Sequence, residues 1–175
     1  VGQKKRAACE KCKQSNINIA LAGNPNVGKS TLFNVLTGLN QHTGNWPGKT
    51  VLSAFGSYEY MDGKYTLVDL PGTYSLNANS PEEETAGNYI CIENPDITVV
   101  VADATSLERN FNLLFQILEM TENVILCVNL VDEAKKKKIT VDVKKLSEIL
   151  KIPVVALSAG RKKGIDEFKK TVYNY

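Results

Sequence analysis

The sequence predicts an α/β fold: a doubly wound, mostly parallel sheet of six strands with helices on both faces. Three observations predict it. Short apolar runs alternate along the chain with segments of helical periodicity. Two of those runs, 97–102 and 124–128, are apolar without alternation, as strands covered on both faces are. A glycine-bearing turn, residues 23–30, joins the first strand to the first helix.

The elements follow in order. Residues 1–16 are polar, basic and aperiodic and read as a flexible arm. The run 17–22, ending at Gly23, is the first strand. Lys29 to Gly38 carries Leu32, Phe33, Val35 and Leu36 on one helical face and closes on glycine. Residues 40–49 hold glycine, proline and asparagine and read as loop. The runs 51–60 and 65–69 flank Asp62-Gly63, a hairpin signal. Ser80 caps a helix whose first turn holds Pro81 and three glutamates. Strand 97–102, helix 107–120 and strand 124–128 come next. Asp142 then caps a helix over 143–150, 153–157 is the sixth strand, and 166–173 the last helix.

Composition narrows the class. The chain has 175 residues, 43% of them hydrophobic and 23% charged, which excludes collagen-like, coiled-coil and wholly disordered classes. At this length roughly 70% of the unfolded surface can be buried, enough for a core without staples. A net charge of +2 gives no electrostatic argument for nucleic acid, and none is expected as a partner. The four cysteines do not form a secreted disulfide pattern, since Cys91 and Cys127 sit inside apolar stretches. The longest apolar runs fall far short of the ~18–20 residues a membrane span needs. With Val1 first and no signal-peptide pattern, the chain reads as a soluble piece of a larger protein.

Gly23-Asn24-Pro25-Asn26-Val27-Gly28-Lys29-Ser30 fits G-x-x-x-x-G-K-[ST] and lies after a strand and before a helix, where that motif must lie. Its glycines let the backbone wrap closely around phosphate oxygens, and the helix N-terminus adds positive potential. Lys29 is placed to reach the β- and γ-phosphates, and Ser30 to bind Mg²⁺. The candidate phosphate ligands are Asn24, Asn26, Val27, Gly28, Lys29, Ser30 and Thr31.

Asp69-Leu70-Pro71-Gly72 ends the second hairpin strand. Asp69 can hold Mg²⁺ through water, and Gly72 can offer its N–H to a γ-phosphate. D-x-x-G is a weak signal alone and a strong one at this distance after a phosphate loop. Asn129 and Asp132 follow a buried strand, and Ser158-Ala159 follows the next. A carboxylate at a strand mouth can accept from N1–H and the N2 amino group of guanine. Adenine lacks that pair of donors, so it would leave Asp132 desolvated and unpaired.

Together these motifs resemble the small-GTPase superfamily. The resemblance implies the P-loop small-GTPase fold over residues 17–175, GTP as substrate and GDP as product. A narrower resemblance is carried by Asn40-Gln41-His42-Thr43-Gly44-Asn45-Trp46-Pro47-Gly48-Lys49-Thr50-Val51, by Ser80-Pro81-Glu82-Glu83, and by Asp103-Ala104-Thr105-Ser106-Leu107-Glu108-Arg109-Asn110. With Gly23-Asn24-Pro25-Asn26, these are similar to the FeoB family of bacterial ferrous-iron transporters.

That resemblance makes Thr50, with Gly48 beside it, part of a first switch in which Thr50 binds Mg²⁺ and the γ-phosphate. It makes Gly72 the γ-phosphate sensor of a second switch. Asn26 matches a potassium-associated position, and Gly44 and Trp46 match positions whose carbonyls complete the K⁺ shell. Asn26, Lys29, Thr50 and Gly72 are thus the candidate catalytic set, with switch loops 41–50 and 69–79. The implied partners are a helical subdomain and a transmembrane region, with the domain at the cytoplasmic face of the cell membrane. A dimer or trimer through the switches is a further implication.

Two positions depart from the wider GTPase pattern. Leu130 stands where N-K-x-D has lysine, so nucleotide affinity should be modest. Thr73 stands where Ras-like proteins place a water-orienting glutamine, and threonine is too short for that role. Cys9 and Cys12 are half of a metal motif without a second half, and Lys135 to Lys138 read as a solvated loop. Two rivals share the guanine motifs: an RNA- or ribosome-associated GTPase, and a nucleotide sensor with little hydrolysis.

Overall fold

The computed structural model describes residues 16–38, 41–45 and 52–175. All six expected strands are present, and a seventh is added at one edge. In chain order the elements are β1 (Asn16–Gly23), α1 (Lys29–Thr37), β2 (Gln41–Asn45), β3 (Leu52–Tyr60), β4 (Gly63–Asp69) and α2 (Pro81–Asn88). Then come β5 (Ile97–Asp103), α3 (Leu107–Met120), β6 (Val124–Asn129), α4 (Val131–Lys136), α5 (Val143–Leu150), β7 (Val154–Ala156) and α6 (Ile165–Tyr173). The sheet order is β2-β3-β4-β1-β5-β6-β7. Strands β4, β1, β5, β6 and β7 run parallel, while β3 is antiparallel to both β4 and β2.

Alternation along the buried strands builds one core on each face. Ile19, Leu21, Val99, Val101, Ile125 and Cys127 pack with Leu32, Phe33 and Leu36 of α1 and Phe168 and Val172 of α6. Ala20, Ala22, Val100, Ala102, Leu126 and Val128 face the other way, onto Leu113, Leu114 and Ile117 of α3. Each strand side therefore meets an apolar helix stripe, which is why these runs do not alternate with polar residues. The parallel strands all end on one edge of the sheet, and every turn expected to carry chemistry leaves from that edge. One straight row of paired residues crosses four strands there: Leu21, Asp69, Ala54 and Thr43.

The expected caps hold. The Ser80 hydroxyl accepts from the Glu83 amide at 3.2 Å, and the Asp142 carboxylate accepts from the Lys145 amide at 3.0 Å. Gly38 closes α1 with φ +63°.

Three expectations are corrected. Residues 41–45, expected in a loop, form β2. An edge strand is held by backbone pairing to one neighbour, so it needs no apolar alternation, and Gly44 and Asn45 hide it from a propensity reading. The hairpin turn sits one residue early: Tyr60 pairs with Gly63, so Met61 and Asp62 form the loop, with Met61 at φ +52°. Gly63 serves another need, because a Cβ there would lie 2.8 Å from the Tyr65 hydroxyl, whose ring stacks on Tyr58. Lys135 and Lys136 belong to α4, whose first turn is acidic and last turn basic, as a helix dipole favours. Lys136 pairs with Glu133 at 2.8 Å. A π-helical turn, Tyr89–Glu93, also extends α2.

Candidate functional site

Residues 23–30 form a turn between β1 and α1. Asn26 and Gly28 take left-handed conformations, φ +65° and +85°, which turn successive amides toward one side. Gly28 is also the only residue that fits, since a Cβ would stand 2.3 Å from the Asn129 side-chain nitrogen. The turn bounds a cavity of about 490 Å³ lined by Asn24, Pro25, Asn26, Gly28, Lys29, Ser30, Thr31 and Gly72. A larger cavity, about 570 Å³, lies between the starts of α3 and α5. Leu107, Ile139, Val141, Leu146 and Ile149 contribute to its walls.

Asp69, at the end of β4, reaches under this turn. Its carboxylate pairs with the ammonium of buried Lys29 and accepts from the Ser30 hydroxyl at 2.8 Å. Lys29, Ser30 and Asp69, read from the sequence as phosphate and metal candidates, are thus brought together by the fold. Gly72 follows against the phosphate loop: a Cβ there would lie 3.2 Å from Pro25 Cα. The Thr73 amide donates to the Gly23 carbonyl at 3.2 Å, and Thr73 is buried. Beyond it, the Leu76 amide donates to Gln116 at 2.7 Å and Asn112 donates to the Tyr74 carbonyl at 3.1 Å. Glu83 accepts from the Ser75 hydroxyl at 2.7 Å. Helices α2 and α3 thus hold the second expected switch.

Asn129 joins the two halves of the site. Its amide nitrogen donates to the Val27 carbonyl at 2.9 Å, and its oxygen accepts from the Ala159 amide at 3.0 Å. One fully buried side chain ties the phosphate turn to the loop after β7. Asp132 opens α4 nearby, and its amide donates to the Ser158 hydroxyl at 3.3 Å. A hydrogen bond from the Ser158 side chain, with the charge of Arg161 adding to it, holds the Asp132 carboxyl below the usual carboxylate range. Leu130 takes φ +61° between these residues. A lysine's stem is not required for that conformation.

Other candidates behave differently. Asn24 turns its amide toward α3 and donates to the Arg109 carbonyl at 2.9 Å, so this side chain braces the loop. Gly44 lies on β2. Trp46, Gly48, Thr50, Cys9 and Cys12 lie outside the described residues. Sequence reasoning missed Arg161, whose guanidinium Nε forms an ion pair with Asp132 Oδ2 at 2.7 Å, and the amides of Asn112 and Gln116 on the second switch. No spacing signals them, because their partners come from distant turns.

Phosphate cradle, carboxylate and the Asn129 junction lie side by side along the carboxyl edge of a doubly wound sheet. That layout is a P-loop G domain. The family profile described as ferrous iron transport protein B matches residues 17–172, and the chain belongs to that family, FeoB. The Fe(2+) transporter FeoB of Methanocaldococcus jannaschii is 53% identical over 154 residues, which cover 88% of this chain and 23% of that protein. The G domain of the T. maritima FeoB iron transporter matches with a TM-score of 0.87 at 42% identity, covering 92% of this chain and 99% of that one. The T. maritima FeoB cytosolic domain in its GMPPNP form matches with a TM-score of 0.88 at 43% identity, covering 91% and 63%. Among the described residues no helix is long and apolar enough to cross a membrane.

Proposed function

We propose that this chain is the GTP-hydrolysing switch domain of a ferrous iron transporter, dependent on Mg²⁺ and stimulated by K⁺. The observation that carries the reading is the junction at Asn129, which sets a base loop and a phosphate cradle at a fixed separation. Solved FeoB cytosolic domains in GDP and GMPPNP forms support it.

In this reading the amides of residues 26–30 and the Lys29 ammonium hold the β- and γ-phosphates. Asp132 accepts from guanine N1–H and N2–H, while Ala159 borders the base. Water attacks the γ-phosphorus, the bond to the β-γ bridging oxygen breaks, and GDP and phosphate leave. The Gly72 amide takes part of the charge on the γ-phosphate. No protein group is covalently modified; catalysis is positioning and charge stabilisation.

The donor set fits Mg²⁺: the Ser30 hydroxyl and Asp69 carboxylate are hard oxygens 2.8 Å apart at the cavity edge. Thr50 completes the set in this reading. Held there by Ser30 and Asp69, Mg²⁺ would supply positive charge to offset the negative charge of the phosphates. Asn26 borders the cavity and offers an amide oxygen for K⁺, with the carbonyls of Gly44 and Trp46. Neither switch segment, 41–50 or 69–79, contains an arginine, so a monovalent cation would stand where other systems use an arginine finger. The remainder of a transporter, at the cytoplasmic face of its membrane, would read the two switch states. Self-association through the switches belongs to the same reading.

Steady-state phosphate release tests it. We expect hydrolysis at least about tenfold faster in KCl than in NaCl at equal ionic strength, and the difference lost in Asn26→Ala with GDP binding retained. Equal rates in the two salts would remove the potassium assignment, and no release at all would favour a sensor. Thr50→Ala should slow hydrolysis about tenfold or more while leaving GDP affinity within twofold, because its ligands exist only with GTP. Equal loss of both would assign Thr50 to folding.

A further inference from the structure

We propose that Arg161 is a positioning residue for base recognition: it fixes the Asp132 carboxylate so that two acceptor sites stay open toward a guanine edge. This rests on the reading of Asp132 as the base ligand. Arg161 closes a 3₁₀ turn, Ala159–Arg161, whose first residue donates to Asn129. Its amide donates to the Ser158 carbonyl at 3.0 Å, and the Ser158 amide donates to the Lys163 carbonyl at 3.0 Å. The guanidinium is therefore rooted in the same braced turn that borders the base, and Nε reaches Asp132 Oδ2 at 2.7 Å.

A carboxylate has about four acceptor sites. The Arg161 ion pair engages Oδ2, and enough sites remain for the two donors guanine presents on that edge. Asp132 would otherwise be free to choose among rotamers, since its side chain is 21% exposed and stands in the first turn of a short helix. Glu133, the neighbouring acid, is occupied by Lys136, so it does not draw the guanidinium away. At 53% exposure Arg161 contributes little to the fold, so its ion pair is better explained by what it does to Asp132. Fixing the acceptor before the base arrives lowers the ordering cost of binding. The hydrogen bonds that hold Asp132 ionised act in the same direction.

The test is a double-mutant cycle on the whole chain, read by displacement of a fluorescent nucleotide. Arg161→Ala should raise the Kd for GDP about tenfold, with kcat at saturating GTP within about twofold of the parent. Arg161→Lys should recover part of the loss, since it restores charge without the planar fork. In the Asp132→Asn background, Arg161→Ala should change the affinity for XDP less than about twofold. An unchanged GDP Kd in Arg161→Ala would overturn the proposal. So would an equal loss for XDP in the Asp132→Asn background, because Arg161 would then act without the carboxylate. If Asp132→Asn itself leaves the base preference alone, the reading of the base site fails, and that result is separable from the Arg161 arm.

Discussion

Asp132→Asn will bind GDP about 10²–10⁴-fold more weakly than the parent and will gain affinity for XDP. The carboxylate accepts two hydrogen bonds from guanine in the proposed site. An amide at the same place keeps one acceptor and turns the other atom into a donor, which faces the N2 amino group with another N–H. Xanthine carries a carbonyl at that carbon, so the donor finds an acceptor. The loss is large because both unmatched groups are desolvated together, whereas a surface pair would lose little. The substitution removes no volume, and the Asp132 amide still reaches Ser158, so the fold is retained. Competition of GDP and XDP against a fluorescent nucleotide measures the swap. Wild-type preference in the variant would move base recognition elsewhere.

Gly28→Ala should abolish measurable nucleotide binding, a loss above about 100-fold, and lower stability. Two costs combine. The residue has φ +85°, and its new Cβ would sit 2.3 Å from the Asn129 side-chain nitrogen. Asn129 cannot yield freely, since it holds the Val27 carbonyl and the Ala159 amide at once. Moving it unpins the cradle and the base loop together. The strain and the lost buried hydrogen bonds come to about 2–3 kcal/mol, or roughly 4–12 °C in Tm for a chain of this size. Gly38→Ala is the control. It has a similar φ, +63°, but nothing lies within 4 Å of its Cβ position, so it should cost stability and leave binding intact. If both variants bind nucleotide normally, the contact at Asn129 does not govern the cradle.

What the sequence made legible was whatever is local or periodic. The phosphate turn, the D-x-x-G turn, the caps at Ser80 and Asp142 and the buried strands each announce themselves in a few residues. What it hid depends on pairing between distant segments. Strand β2 exists because β3 offers it a ladder, and a His-Thr-Gly-Asn stretch shows no strand pattern of its own. The side-chain amide of Asn24, inside the motif, donates to the Arg109 carbonyl, a partner that no local pattern names. Arg161 looks like one basic residue among several, and only the fold brings it to Asp132. Even the misplaced hairpin turn has this origin: Gly63 answers to the Tyr65 ring, a contact that no turn preference encodes.

The row Leu21–Asp69–Ala54–Thr43 places β1, which leads into the glycine-bearing turn, Asp69 at the end of β4, and the edge strand β2 on one line of main-chain pairing. Such a line joins the strands without using a single side chain. Its members can drift in identity while the mechanical link stays the same, which frees the surrounding positions to be tuned for partners or rates. Only proline threatens it, by deleting the amide hydrogen on which a rung depends. The strands then stand like marks on one ruler, their spacing kept by the backbone while everything printed around them varies.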